Sequence, residues 1–269
     1  MTDGPLAPGL LRALADFARR PRVLVALDFD GCLAPLVEDP ARARPTERAA
    51  AALAEFGRMD DVHLALVSGR PAADLVTLAD PPAGTRLIGS HGAERARLEG
   101  GGVAHEPFTL TDAQRELLER VSAAAEEIAA GHPGAWVEHK PAAAVLHTRP
   151  LAPGPAAAAT AAALAGPAGL PGVHPIRGNQ VVELAVVPST KGGALVALRA
   201  ELAGDGDPLP VLYAGDDVTD ETALATLGDG DVGIKVGAAE SVAPYRVAGP
   251  EELARALAVL ARERGGRPA

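Results

Sequence analysis

Cysteine is almost missing from this chain. Cys32 stands alone, which excludes an intrachain disulfide framework and a zinc centre built on thiolates. Aromatic residues make up only 3%, so a core has to be packed from Val, Leu and Ala. Basic residues are too few to balance the acids, and the formal net charge is −10. Nucleic acid and anionic membranes attract basic surfaces and are poor partners for such a protein. A small anionic substrate stays open, because a bound metal and a few placed cations override the global field locally. No charge-free apolar run approaches the roughly 18 residues of a membrane span, and no secretory core stands at the N-terminus. A repeat of about 20–50 residues is also lacking. The expectation is a monomeric cytoplasmic protein with neither a membrane nor a nucleic-acid partner.

What is present is material for a core. Hydrophobic residues are 48% of 269, enough for one large domain or two small ones. Val23 to Leu27 is an unbroken apolar run, the pattern of a strand buried on both faces inside a parallel sheet. It ends in Asp28-Phe29-Asp30-Gly31. Ligands of open α/β sheets collect beyond the carboxyl ends of the strands. Two neighbouring acids resist joint ionisation unless a cation or a proton lies between them, and a divalent metal with oxygen ligands meets that need. A strand running into an acidic turn accounts for the same residues without chemistry.

The pattern repeats along the chain. Leu10, Leu11, Leu14 and Phe17 have helical spacing, and Thr46 caps a second helix. Val62 to Val67 reads as a strand ending in Ser68-Gly69-Arg70, Pro71 to Leu78 as a helix, and Arg86 to Gly89 as a strand ending in Ser90-His91-Gly92-Ala93-Glu94. Strand and helix alternating at this spacing predict a parallel sheet with right-handed crossovers. Gly100-Gly101-Gly102 marks a break. Beyond it come an acidic helix from Thr111 to Ala130, paired strands at 136–140 and 143–149, a helix within 151–172, and strands at 173–176 and 180–187. The alternation resumes with a helix opening at Lys191 and a buried strand, 210–215, that runs into Asp216-Asp217-Val218-Thr219-Asp220-Glu221. Short strands at 231–236 and 246–248 and a helix over 251–264 complete it. The expected fold is a doubly wound α/β core, 1–99 and 188–269, split by an inserted α+β cap at 100–187.

Asp28/Asp30, Ser68 and Asp216/Asp217 then meet at one edge of the sheet, with Lys191 opening the helix that enters the last strand. Carboxylates, a hydroxyl, a lysine and a lid make a set suited to phosphoryl transfer. Taken singly the same residues have plain readings: Asp216 and Asp217 as helix caps, and Asp220 and Glu221 as charges set against a helix dipole.

The order D-x-D at 28–30, S-G-R at 68–70, Lys191 and G-D-D-x-x-D-E at 215–221 resembles the haloacid dehalogenase (HAD) superfamily. Ser90-His91-Gly92-Ala93-Glu94, Glu138-x-Lys140, His147-x-Arg149, Gly178-Asn179 and Val182-Glu183-Leu184 narrow the resemblance to its trehalose-phosphatase family, across about 20–240. The resemblance implies a phosphatase acting on a small sugar phosphate, trehalose 6-phosphate, with Mg²⁺ as cofactor. By it Asp28 is the nucleophile, and Asp30 is the acid and base. Ser68 and Lys191 hold the phosphoryl group. Metal ligation falls to the Asp28 and Asp216 side chains and the Asp30 carbonyl, with Asp217 and Asp220 supporting them. Gly31, Arg70, His91, Glu94, Glu138, Lys140, Arg177, Asn179 and Glu183 are the implied substrate-binding residues, the cap members among them offering acceptors and donors to sugar hydroxyls. Solvated charges on a small antiparallel sheet remain the other reading of the cap set. Phosphatases of sucrose phosphate or of glucosyl- and mannosyl-glycerate phosphates, a phosphosugar mutase, and a silent sugar-phosphate-binding module share the topology. Cys32 departs from the superfamily, which usually has Thr or Ser there. A thiol is a weak donor that packs like a small apolar group.

Overall fold

The computed structural model describes residues 4–100, 102–106, 110–204 and 206–266. The chain divides into two compact units, Met1–Glu106 with Thr190–Ala269, and Pro107–Ser189.

The first unit is built on β1 (Val23–Leu27), β2 (Val62–Val67), β3 (Arg86–Gly89), β4 (Glu94–Glu99) and β5 (Gly102–His105), together with β10 (Val211–Gly215), β11 (Val232–Val236) and β12 (Tyr245–Val247). They form one sheet in the order β12-β11-β10-β1-β2-β3-β4-β5. All neighbours are parallel except at the β3–β4–β5 end, which is antiparallel. Every residue of β1 is buried. Val23, Val25 and Leu27 pack with Leu10, Leu14 and Phe17 of α1 (Pro8–Ala18), Leu53 and Phe56 of α2 (Glu47–Phe56), Leu75 of α3 (Ala72–Ala79), and Leu257 and Leu260 of α8 (Pro250–Gly265). Leu24 and Ala26 face the other way, onto Leu195 and Leu198 of α6 (Lys191–Ala203) and Leu224 of α7 (Glu221–Leu224). The even and odd residues of one strand thus serve two cores, which is why the run carries no polar residue before Asp28.

In the second unit β6 (Trp136–Lys140), β7 (Ala143–His147), β8 (His174–Gly178) and β9 (Val181–Ala185) form an antiparallel sheet ordered β6-β7-β9-β8. Ala144, Leu146, Val182 and Leu184 face Val121 and Ala125 of α4 (Asp112–Ala130) and Ala159 and Ala163 of α5 (Pro153–Ala165). Thr111 and Gln114 close a capping box at the start of α4.

The sequence places the break at residue 99, whereas the division falls after Glu106. The cause is a hairpin: β5 pairs with β4 from Glu99↔Gly102 to Ala96↔His105, so the chain adds two antiparallel strands before it leaves the sheet. On the return the division falls at Thr190 rather than 188. Among the described residues no helix is long and apolar enough to cross a membrane.

Candidate active site

Strand order reverses at β1. The chain proceeds from β1 to β2 on one side, while β10 flanks it on the other. In-register pairing of Leu27 with both Ala214 and Leu66 brings three strand ends level. Asp28, Gly215 and Val67-Ser68 therefore leave the sheet side by side, at the crevice such a reversal creates.

Gly31 makes the first turn possible. Its φ is +73°, and a Cβ there would collide with the Asp216 carboxylate, so only glycine lets the two loops close together. Cys32 turns inward. It is fully buried in the core, and its thiol lies 3.4 Å from the Ala214 carbonyl, to which it donates. Burial, then the charges of Asp28, Asp220 and Asp216, push the thiol pKa well up. Its side chain ties the loop after β1 to β10, and a buried thiol held in its protonated form is a poor nucleophile.

Asp28 is 3% exposed and Asp220 0%. Carboxylate oxygens of Asp28, Asp216 and Asp220 lie within 4.8 Å of one another. Lys191 Nζ, equally buried, donates to Asp28 Oδ1 at 2.8 Å and to Asp220 Oδ1 at 2.7 Å. Tyr213 Oη adds a bond to Asp220 Oδ1 at 2.6 Å, and the Asp217 amide donates to Asp220 Oδ2 at 2.9 Å. Lys191 thus bridges two acids, with Asp216 as a third beside them, and the excess of negative charge shows in Asp28 and Asp216. Burial raises the Asp28 pKa well above its ordinary value, Asp220 and Asp216 add to the rise, and Lys191 offsets only part of it. Burial with the charge of Asp220 pushes Asp216 up to about 6. Burial works against charge on Lys191, yet Asp28 and Asp220 raise its pKa overall, so it stays protonated.

This donor set fits a hard divalent cation. It is all oxygen, it carries more negative charge than Lys191 neutralises, and the Asp220 oxygens are already committed to Lys191, Tyr213 and the Asp217 amide. Asp28 and Asp216 are the two carboxylates with the unmet demand.

The other expected residues fall into distinct places. Both Asp30 oxygens are held by Arg70, at 2.5 Å from Nε and 2.7 Å from Nη2, and the guanidinium carbon lies 5.4 Å from the Phe29 ring centroid. Arg70 is thus paired with Asp30. Ser68 is buried, and its hydroxyl accepts from the Arg70 amide at 3.2 Å. Ser90, His91 and Gly92 all have positive φ, a run that costs strain outside glycine. The His91 amide donates to the Ser68 carbonyl at 3.0 Å, and its ring lies against Gly69. Glu94 is buried and fully engaged. It accepts from the Ala72 amide at 3.0 Å and from the Ser90 hydroxyl, both inside the fold, so it fastens the N-terminus of α3. Asp217 does not reach Lys191 in any described bond; its exposed carboxylate caps the next turn, accepting from the Val218 amide at 2.7 Å.

In the second unit Trp136, Glu138 and Lys140 alternate onto the sheet face away from α4 and α5, and register puts His147 and Glu183 on the same face. Lys140 Nζ donates to Glu183 Oε2 at 2.8 Å. Glu138 Oε2 lies 2.9 Å from His147 Nε2, and the Trp136 ring stacks on His147 at 3.9 Å between centroids. The bond to His147 lowers the Glu138 pKa, burial opposes it, and Lys140 adds to the lowering. Arg177 and Asn179 do not join this group. Ile176 is the residue opposite Glu183, so Arg177 sits on the other face of edge strand β8, and Asn179 occupies the exposed β8–β9 turn.

Two residues tied to the site were not singled out from sequence. Tyr213 lies inside an apolar strand that reads as core, and only its hydroxyl partner Asp220 reveals it. Lys235 carried a usable signal, a charge inside the buried strand Val-Gly-Ile-Lys-Val.

Parallel strands with paired carboxylates at the reversal and a buried lysine place the first unit in the HAD-like class of folds. A haloacid dehalogenase-like hydrolase from Bacteroides thetaiotaomicron shares the fold, with a TM-score of 0.62 at 17% identity over 88% of this chain and 98% of that one. The C-terminal domain of C. albicans trehalose-6-phosphate phosphatase superposes with a TM-score of 0.78 at 19% identity, covering 96% and 99%. Residues 26–251 match the family described as trehalose-phosphatase, and the chain belongs to that family. It is 34% identical over 236 residues to the trehalose-phosphate phosphatase of Mycobacterium marinum, covering 85% of this chain and 58% of that protein. The chain thus spans somewhat under three fifths of that curated relative.

Proposed function

We propose that the chain is a Mg²⁺-dependent phosphomonoesterase that converts trehalose 6-phosphate to trehalose and phosphate. The observation that carries this reading is the buried Asp28–Lys191–Asp220 array with Asp216 beside it, at the strand reversal. The proposed ion ligands are the Asp28 and Asp216 carboxylates and the Asp30 backbone carbonyl. When bound, Mg²⁺ neutralises charge between an anionic nucleophile and an anionic phosphate.

Lys191 holds Oδ1 of Asp28 and so fixes the plane of the carboxylate for attack on phosphorus. The Asp28–phosphorus bond forms as the bond from phosphorus to the sugar oxygen breaks, and Asp30 gives that oxygen its proton. Water then attacks the aspartyl phosphate, Asp30 takes a proton from the water, and phosphate departs from Asp28. Arg70 has to release Asp30 for either transfer. Ser68 and Lys191 donate to the phosphoryl oxygens as charge builds. With its thiol turned to Ala214, Cys32 offers the phosphate only its backbone, so the departure from Thr or Ser leaves this scheme intact. Recognition of the sugar is assigned to the second unit, as the inserted cap, through Glu138, Lys140 and Glu183, which share one sheet face.

Phosphate release from a panel of sugar phosphates, in Mg²⁺ and in EDTA, tests the reading. Turnover of trehalose 6-phosphate alone, lost in EDTA and in Asp28→Asn, is the expected result. Release confined to sucrose phosphate or a glycerate glycoside phosphate would move the chain to a sibling activity. No release from any substrate would leave a silent binding module.

A further inference from the structure

The first unit buries a second ammonium that the reaction scheme does not use. Lys235 is 1% exposed in β11, where every residue is buried. A lone charge there is costly, so such a side chain is held by partners or not held at all. Its partners are specific. Nζ donates to the backbone carbonyl of Asp217 at 3.1 Å and to Glu221 Oε1 at 3.0 Å. The second Glu221 oxygen accepts from Ser241 Oγ at 3.1 Å and from the Val242 amide at 3.0 Å, so the carboxylate is itself fixed.

Register explains the aim of this cation. Lys235 lies directly across from Gly215, the last residue of β10 before the acidic loop. Gly215 is itself pressed against Asp220, leaving no room for a Cβ. Asp217 is pinned on both sides: Asp220 holds its amide and Lys235 its carbonyl. Asp216 sits immediately ahead of these two pins, and its carboxylate is the one that meets Asp28 across the strand ends. Among the described bonds Lys235 reaches neither Asp28 nor Asp216.

We propose that Lys235, locked by Glu221, is a positioning residue for the cation site: it fixes the Asp216–Asp220 loop so that Asp216 is presented to the ion alongside Asp28. This rests on the cation reading above, and the test separates the two. A carboxylate held in place by its surroundings binds an ion without having to be ordered first, and removal of such support typically weakens metal binding about 10–100-fold.

The probe is Mn²⁺ binding to EDTA-stripped protein, followed by electron paramagnetic resonance, with circular dichroism to confirm folding. Lys235→Met is expected to weaken Mn²⁺ binding at least about tenfold. In the phosphatase assay it should raise the Mg²⁺ concentration for half-activity, while the KM for sugar phosphate at saturating Mg²⁺ stays within about twofold. Lys235→Arg, which keeps the charge, should recover most of the affinity. Glu221→Gln keeps the shape, removes the lock and decides the matter if Lys235→Met fails to fold; it should weaken Mn²⁺ binding in the same direction. A folded variant that loses thermal stability but binds Mn²⁺ as the unaltered protein does would overturn the proposal and leave Lys235 a purely structural charge. Failure of the unaltered protein to bind Mn²⁺ would instead overturn the cation reading.

Discussion

Asp216 shows how a site can be set against the stability of its own fold. Burial and Asp220 push its pKa up to about 6 from an ordinary 3.8. Between those values the folded state holds a proton that the unfolded chain has released, so this group's stabilising contribution is present at low pH and lost as pH rises through about 6. Asp216→Asn removes the dependence. In EDTA at pH 7 the variant is expected to be more stable than the parent by ~1 kcal/mol, a figure reduced for the part of the carboxylate that water screens. The gap should close toward pH 4. Urea titrations of both proteins at the two pH values measure it, and equal midpoints at pH 7 would contradict the assignment of strain to Asp216.

At the scale of elements, the strand ends were legible because each buried apolar run stops at a polar group. Val23 to Leu27, Val62 to Val67 and Val211 to Gly215 end where the sequence puts them, to within a residue. The hairpin of β4 and β5 was not legible. Glu-Arg-Ala-Arg-Leu-Glu is too charged to read as a strand, and it is tolerated because β4 presents only alternate residues to the core. Proximity to a strand end does not by itself reveal what a side chain holds. Glu94 opens β4 five residues after the end of β3, and its carboxylate ties α3 to the turn after β3. Glu94→Ala should therefore cost roughly 2 kcal/mol, since it strands a buried amide and a buried hydroxyl. The surviving activity at low temperature should keep the parent's KM. A large rise in KM with unchanged stability would return Glu94 to the substrate.

For the whole molecule, the order of motifs was enough to anticipate an α/β sheet interrupted by an α+β insertion, because the alternation of elements fixes the topology. Which residues of the second unit share a sheet face was not, since it depends on the parity of register: Lys140 and Glu183 meet, while Arg177 lies on the opposite face of the same sheet. An ion that binds only the folded state raises its stability by mass action, about 2.7 kcal/mol at one hundred times Kd. At that concentration Mg²⁺ should lift the melting temperature by about 5–10 °C, and EDTA should reverse it. An unmoved transition would speak against a cation at Asp28 and Asp216.

The chain re-enters the first unit at Thr190, one residue ahead of Lys191. Thr190 caps α6 by accepting the Gly193 amide, and the Gly192 amide is held by Thr222. Like the collar where a cable enters its plug, these bonds anchor the first turn of α6 at the residue whose ammonium meets Asp28.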